Sequence, residues 1–186
     1  MKRTFDLLLG LVLLILLAIP LVLLAVTLRS TSRGPALYWS KRVGRGNKLF
    51  DMPKFRSMRT ETPVVATHLL EDPSRWLTPT GSFLRKTSLD ELPQLWSILR
   101  GEMSFVGPRP ALFNQQDLIE ARTKAGVHML RPGLTGWAQI HGRDEVSVAE
   151  KVALDSYYLA HRSLRLDVYI IALTAFKVLR RDGVAH

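Results

Sequence analysis

Hydrophobic and polar positions are spread unevenly along this chain, and the extreme lies near its start. Leu7 to Leu28 is an uncharged apolar run broken only by Gly10, Pro20 and Thr27. As a straight helix its 22 residues would extend roughly 33 Å, against about 30 Å for a bilayer's hydrocarbon core. Lys2 and Arg3 would also suit the basic start of a cleaved signal peptide, but the run is too long and no small-x-small site follows it. Pro20 removes a backbone hydrogen bond inside the run and predicts a kink. Both flanks are basic, with Lys2 and Arg3 before and Arg29, Arg33, Lys41, Arg42 and Arg45 after, which favours the cytoplasm for both ends. A helix bent at Pro20 that enters and leaves by one face satisfies both facts. Carbonyls freed at the bend would then need partners, such as Thr27 or a neighbouring segment. A single-pass anchor that tolerates its proline is the alternative, and the pattern alone leaves the two open.

Beyond this run the periods are short. Residues 35–60 predict a β-hairpin region: Ala36 to Trp39 has strand character, Gly44 to Asn47 is a turn cluster, and Leu49-Phe50 resumes the apolar run. Pro53 weakens the second strand or places it at an edge. Residues 61–80, rich in Thr and Pro, predict a surface loop. Helices are predicted over 88–100, 113–125 and 147–160. The tail from Leu166 to Leu179 is too short to span a membrane, but long enough to pack on the domain or lie in the interface.

Charge narrows the partners. A net charge of +10 and a pI near 10.4 suit nucleic acid, anionic lipid or phosphorylated substrates. With no cysteine, disulfide frameworks and thiolate metal sites are excluded.

Three stretches carry candidate chemistry. In Arg85-Lys86-Thr87-Ser88-Leu89-Asp90-Glu91-Leu92-Pro93-Gln94, two adjacent carboxylates follow two cations near a predicted helix start. Helix neighbours point about 100° apart, so Asp90 and Glu91 can serve different atoms of one site. The helix N-terminus would keep a carboxylate ionised, which suits a nucleophile or a ligand for Mg2+. The competing reading is a capping box, with Ser88 as the cap and Glu91 returning the bond. In Gly101 to Pro110, prolines on both sides of Arg109 stiffen the backbone beneath a guanidinium suited to bidentate phosphate contact. A rigid loop with a solvated Arg is the plainer alternative. The third stretch runs Arg131-Pro132-Gly133-Leu134-Thr135-Gly136, then Trp137, Gln139, His141, Gly142 and Arg143. Its glycines would admit close backbone approach to a ligand, and Trp137 would offer a face for a base, although a lone loop aromatic is more often packing.

Taken in order, these segments resemble the monotopic phosphoglycosyl transferases, also called bacterial sugar transferases. The resemblance begins at Lys2-Arg3-Thr4-Phe5-Asp6 and continues through Lys54-Phe55-Arg56-Ser57-Met58. It then takes in Thr87 to Leu95, which resembles the family's catalytic signature, Gly101 to Pro110, Arg131 to Gly136, Gly142-Arg143 and Asp155 to Tyr158. It implies an α+β, mostly helical fold. A re-entrant membrane helix over 1–28 is bent at Pro20, and a cytosol-facing catalytic domain over 29–186 carries a small β-hairpin region and amphipathic interfacial helices. It also implies a ping-pong reaction at the cytoplasmic face of the bacterial inner membrane. Asp90 would attack the sugar-bearing phosphate of a UDP-sugar and release UMP. A polyprenyl phosphate, typically undecaprenyl phosphate, would then take the phosphosugar, opening a pathway of glycoconjugate or exopolysaccharide synthesis continued by downstream glycosyltransferases.

Under the same resemblance, Arg85 and Arg109 hold phosphate oxygens, and Mg2+ is held by Asp90 or Glu91 with the diphosphate. Glu91 has an alternative role in deprotonating the acceptor. Arg131, Gly133, Thr135, Gly136, Trp137, Gln139 and Arg143 are candidates for the nucleotide sugar. Partners are therefore the donor, the lipid acceptor and membrane phospholipids, with no nucleic acid. The chain departs from the family at Ser40, where a Gln is usual, at Met52-Pro53 in place of an aromatic, and at Ile19, where some relatives have Ser. The resemblance is to the small, minimal class, which is expected to do without the additional membrane domain of larger members. The rival from another class is a membrane-tethered basic binding module without catalysis. Lys and Arg are scattered, however, and no nucleic-acid motif occurs.

Overall fold

The computed structural model describes residues 1–63, 72–142 and 146–180. It is mostly helical, with two small two-stranded sheets. Helix α1 (Lys2–Thr31) continues through Pro20. Among the described residues it alone is long and apolar enough to cross a membrane, with a mean hydropathy of 3.3 over its most apolar window. That window is only 6% buried, so the helix is no core element of a water-soluble domain. Burial is confined to Asp6, Gly10 and Leu28, two of them near the start and one near the end.

Strands β1 (Leu37–Val43) and β2 (Leu49–Phe55) form the predicted hairpin, in antiparallel register from Leu37 opposite Phe55 to Val43 opposite Leu49. The turn takes Gly46 and Asn47 to positive φ (65° and 59°), a region open to Gly and tolerated by Asn. Pro53 lies opposite Trp39; in a two-stranded sheet every strand is an edge, so the missing N–H costs no ladder bond on the outer side. Of the predicted 61–80 loop, residues 64–71 lie outside the described part. The remainder is pinned by a bridge between Met58 and Leu77 and by buried Thr78.

After α2 (Gly81–Lys86), the helix expected over 88–100 divides into a 3₁₀ helix, Leu89–Gln94, and α3 (Leu95–Arg100). Pro93 lies within the 3₁₀ segment. The helix predicted over 113–125 is α4 (Gln116–Lys124), and that over 147–160 is α6 (Val148–His161), which carries a capping box between Ser147 and Glu150. The apolar tail is α7 (Leu164–Arg180). It packs on the domain through Asp167 and Ile170 and leaves Leu164, Val168, Tyr169 and Phe176 exposed. Besides α2, three elements were not foreseen. Strands β3 (Ser104–Val106) and β4 (Gly133–Thr135) pair in parallel, and α5 (Trp137–His141) follows β4 directly. The parallel pair binds the second and third motif stretches together. The main core gathers Met52, Leu95, Ile98, Met103, Phe105, Val106, Ile140, Tyr158 and Ile170, so β2, α3, β3 and α5–α7 converge beneath the loops of interest.

Candidate active site

The site is built on the short 3₁₀ helix. Ser88, immediately before it, has φ 56° and ψ 17°, a left-handed conformation uncommon outside Gly, Asn and Asp. That geometry corrects the capping-box reading. The Ser88 side chain makes no capping bond, and the Glu91 carboxylate turns instead to cations. Glu91 Oε1 accepts from Lys54 Nζ at 2.7 Å and from both terminal Arg109 nitrogens at 3.4 Å. Lys54 comes from β2, which lies along the 3₁₀ helix, so a strand, a 3₁₀ turn and a proline-flanked loop meet at one oxygen.

Asp90 beside it is only 8% exposed. Burial pushes its carboxyl up, Lys54 pulls it down, the ionised Glu91 pushes it up again, and Arg85 and Arg109 oppose; the outcome is about 6. For Glu91, burial also acts upward, but Lys54 and Arg109, by charge and hydrogen bond, outweigh it and hold the group down to about 2. Two adjacent carboxyls are thus driven apart: one permanently ionised and engaged, the other buried and poised near neutrality. Arg85, from the last turn of α2, has its Nε 3.3 Å from Ser57 Oγ and a terminal nitrogen 3.4 Å from Met58 Sδ. It is close enough to both acids to share their field.

The loop carrying Arg109 is fixed through the Gly107 N–H and the carbonyls of Pro108, Arg109 and Pro110. Gly107 N–H donates to Thr135 O, Gly133 N–H to Pro108 O (2.9 Å each), and Arg42 donates to Pro110 O (3.2 Å). Arg122 donates to the Arg109 carbonyl at 2.7 Å, while its Nε and other terminal nitrogen grip Asp155 Oδ2 at 2.9 and 2.7 Å. This buried pair accounts for the Asp155 end of the last motif, and neither partner was a candidate from the sequence. Lys54 and Arg42 were likewise missed. Lys54 stood within a quoted motif, but its importance depends on a strand meeting a 3₁₀ turn 37 residues on.

The third stretch is placed differently. A Cβ on Gly133 would come 2.1 Å from Gly107 N, and one on Gly136 2.1 Å from Gly107 O. These glycines therefore admit another part of the chain's own backbone. Trp137 lies between His141 (4.1 Å) and Tyr157 (5.0 Å, planes 22° apart), and Tyr157 in turn stacks on His161. Arg131 Nε donates to Gly101 O, Thr135 Oγ1 pairs with Thr174 Oγ1, and Gln139 donates to Leu134 O. Of this set, Gly133 joins the hollow lined by Glu91 and Arg109. Arg143 lies outside the described residues.

Known proteins match this sequence along nearly its whole length. The family model described as bacterial sugar transferase matches residues 1–181. The undecaprenyl-phosphate galactose phosphotransferase of Salmonella typhimurium is 40% identical, over 98% of this chain and 41% of its own length. The UDP-glucose:undecaprenyl-phosphate glucose-1-phosphate transferase of Escherichia coli is 40% identical, over 95% of this chain and 40% of its own. The uncharacterized sugar transferase EpsL of Bacillus subtilis is 39% identical, over 99% of this chain and 90% of its own. The chain spans about two fifths of the length of the first two relatives. With the family model covering nearly every residue and both acids set among cations, the chain belongs to the bacterial sugar transferase family.

Proposed function

We propose that this chain transfers a sugar-1-phosphate from a UDP-sugar to a polyprenyl phosphate, in two displacements through Asp90. The observation that carries the reading is a buried Asp90 beside a Glu91 whose Oε1 accepts from Lys54 at 2.7 Å and from Arg109 at 3.4 Å. In the first step an Asp90 oxygen attacks the sugar-bearing phosphorus. The bond to the bridging oxygen breaks, and UMP leaves with that electron pair. In the second step a phosphate oxygen of the lipid attacks the same phosphorus, Asp90 is released as carboxylate, and polyprenyl-diphospho-sugar forms. Covalent catalysis of this kind divides one hard transfer into two at one site. Burial favours the attack, because a desolvated carboxylate gains by losing its charge.

Lys54, Arg85 and Arg109 supply positive charge for the phosphate oxygens, a role that needs position more than proton transfer. Glu91, ionised down to about 2, is too weakly basic to take a proton near neutrality, which argues for its organising the cations over its deprotonating the acceptor. The acids also fit Mg2+. That ion commonly takes one or two carboxylates and completes its shell with phosphate oxygens and water. Among the described residues no three acidic or histidine side chains gather as a metal cage, so substrate oxygens would have to complete the shell. Asp90 and Glu91 would hold the ion, whose charge would ease departure of UMP.

Relatives named as undecaprenyl-phosphate transferases support the lipid acceptor, and the apolar α1 with its basic flanks supports a place at the bacterial inner membrane, facing the cytoplasm. A re-entrant α1 is supported by the docking of both its ends on one domain: Lys2 to Asp167 and Arg3 to Ile98 O and Leu99 O at one end, Arg56 to Ser32 and Arg33 at the other. The product would then be extended by glycosyltransferases acting on lipid-linked sugars. The test is release of UMP from a panel of UDP-sugars by the full chain in lipid, with polyprenyl phosphate and Mg2+. A phosphosugar adduct on Asp90 is expected before acceptor is added, and UMP release from none of the donors would sink the reading.

A further inference from the structure

The hollow beside Glu91 contains a polar group that the proposed displacements do not use. Gln94, the last residue of the 3₁₀ helix, is 2% exposed, and its Nε2 is buried with no hydrogen-bond partner among the described residues. Leaving a buried donor unpaired destabilises the fold unless a ligand satisfies it. Gln94 lines the hollow with Arg42, Glu91 and Arg109, over Met52 and Gly133. The hollow encloses about 10 Å³, room for one water-sized atom. A single phosphate oxygen can therefore reach Gln94 there, while a nucleoside cannot enter.

Its chemistry is donor-rich. Arg42 and Arg109 are guanidinium donors that accept nothing, and the facing carboxylate, Glu91, already receives Lys54 and Arg109. Arg42 is held in place by Ser40 Oγ at 2.9 Å and Pro110 O at 3.2 Å. The nearby Gly133 N–H is spent on Pro108 O, so Gln94 is the donor left to be satisfied. We infer that Gln94 Nε2 donates to a phosphate oxygen, and that Gln94, Arg42 and Arg109 form one phosphoryl subsite beside the carboxylate pair. The inference rests on the transferase reading only in naming the source, which is the phosphate of the leaving UMP or that of the lipid acceptor.

The probe is inorganic pyrophosphate, titrated calorimetrically with Mg2+ into the full chain in lipid nanodiscs. No turnover is needed, so failure of the transferase reading, seen as absent UMP release, is a separate result. Gln94→Leu should weaken pyrophosphate binding about tenfold, the loss of one hydrogen bond to a charged group. Its melting temperature should be unchanged or raised, because an unpaired donor has gone. Gln94→Glu should weaken binding further. Ser97→Ala removes another buried unpaired oxygen, in α3, and should leave binding unchanged. If Gln94→Leu melts early, Gln94→Met carries the same test. A loss shared with UMP alone assigns the nucleotide phosphate, and one shared with short-chain polyprenyl phosphate alone assigns the acceptor. Equal affinity in wild type and Gln94→Leu, equal weakening in Ser97→Ala, or no binding by wild type would overturn the inference.

Discussion

At the scale of single residues, Asp90 and Glu91 pull stability in opposite directions. A carboxyl raised from 3.8 to about 6 keeps its proton in the folded state while the unfolded chain has already lost it. Stability therefore falls as pH rises from about 4 to about 6, and the cost stays in full above that. Glu91, lowered from 4.5 to about 2, does the reverse: its contribution is complete above about 4.5 and is lost as pH falls towards 2. Asp90→Asn should accordingly melt higher than wild type at pH 7.5, by an amount worth about 1–3 kcal/mol, and the two should converge near pH 4. The same variant should form no phosphosugar adduct. In wild type the rate of UMP release should rise through pH 6 and level off above it, as Asp90 ionises. A rate independent of pH between 5 and 8 would remove Asp90 as the titrating nucleophile. Asp90→Asn is thus expected to be more stable and inactive, a sign that this residue is kept for chemistry at a cost to the fold.

Between residues and the whole lies the device that aims Arg109. Arg122 of α4 reaches the Arg109 carbonyl while Asp155 of α6 holds its other nitrogens, so two helices position one loop. Arg122→Lys keeps the charge but loses the fork. It should lower kcat about tenfold with a melting temperature close to wild type, as one charged hydrogen bond to the loop is lost. Asp155→Asn leaves a buried guanidinium without its counter-charge, and should cost roughly 3–5 kcal/mol of stability as well as activity. A Lys variant with unchanged kcat would reduce the pair to a structural strut.

These positions also mark where sequence reading reaches its limit. The acids, Arg85, Arg109, the hairpin and the later helices stand out because each is a local pattern of charge, turn residues or period. Lys54, Arg42, Arg122 and Asp155 matter only through contacts made far along the chain, and no local period encodes those. Ser88 shows the converse failure. Ser-x-x-Glu spells a cap, but a left-handed Ser88 and two nearby cations draw Glu91 elsewhere. The glycines of 133 and 136 were legible as sites of close approach, while what approaches them, Gly107, depended on the unforeseen pairing of β3 with β4.

For the whole molecule, under the proposed re-entrant reading, the balance between Pro20 and the two docks decides how α1 sits in the membrane. Removing a proline from a helix interior favours the straight helix by about 3 kcal/mol. Freeing the amino-terminal end would strip Asp167 of Lys2 and release the two carbonyl contacts of Arg3. It would also break the bonds of Asp6 to Ser104 Oγ (3.0 Å) and Phe105 N (3.2 Å). The Lys2 ammonium is half-exposed and adds little, but Arg3 and Asp6 make four hydrogen bonds at this end, each worth about 1.5–3 kcal/mol where one partner is charged. The docks therefore outweigh the proline, although Pro20 is the feature that the sequence displays. The chain has no native cysteine, so single reporters at exposed Thr4 and Thr31 give a clean measurement. In intact cells, Thr4→Cys and Thr31→Cys should both be shielded from a membrane-impermeant thiol reagent and react once the cells are opened. Pro20→Leu should leave that pattern intact. Only Pro20→Leu combined with Lys2→Leu and Arg3→Leu should expose position 4 to the outside, because that change removes the dock and the basic flank together. Exposure of position 4 by Pro20→Leu alone would reverse the ranking and make the proline the controlling element.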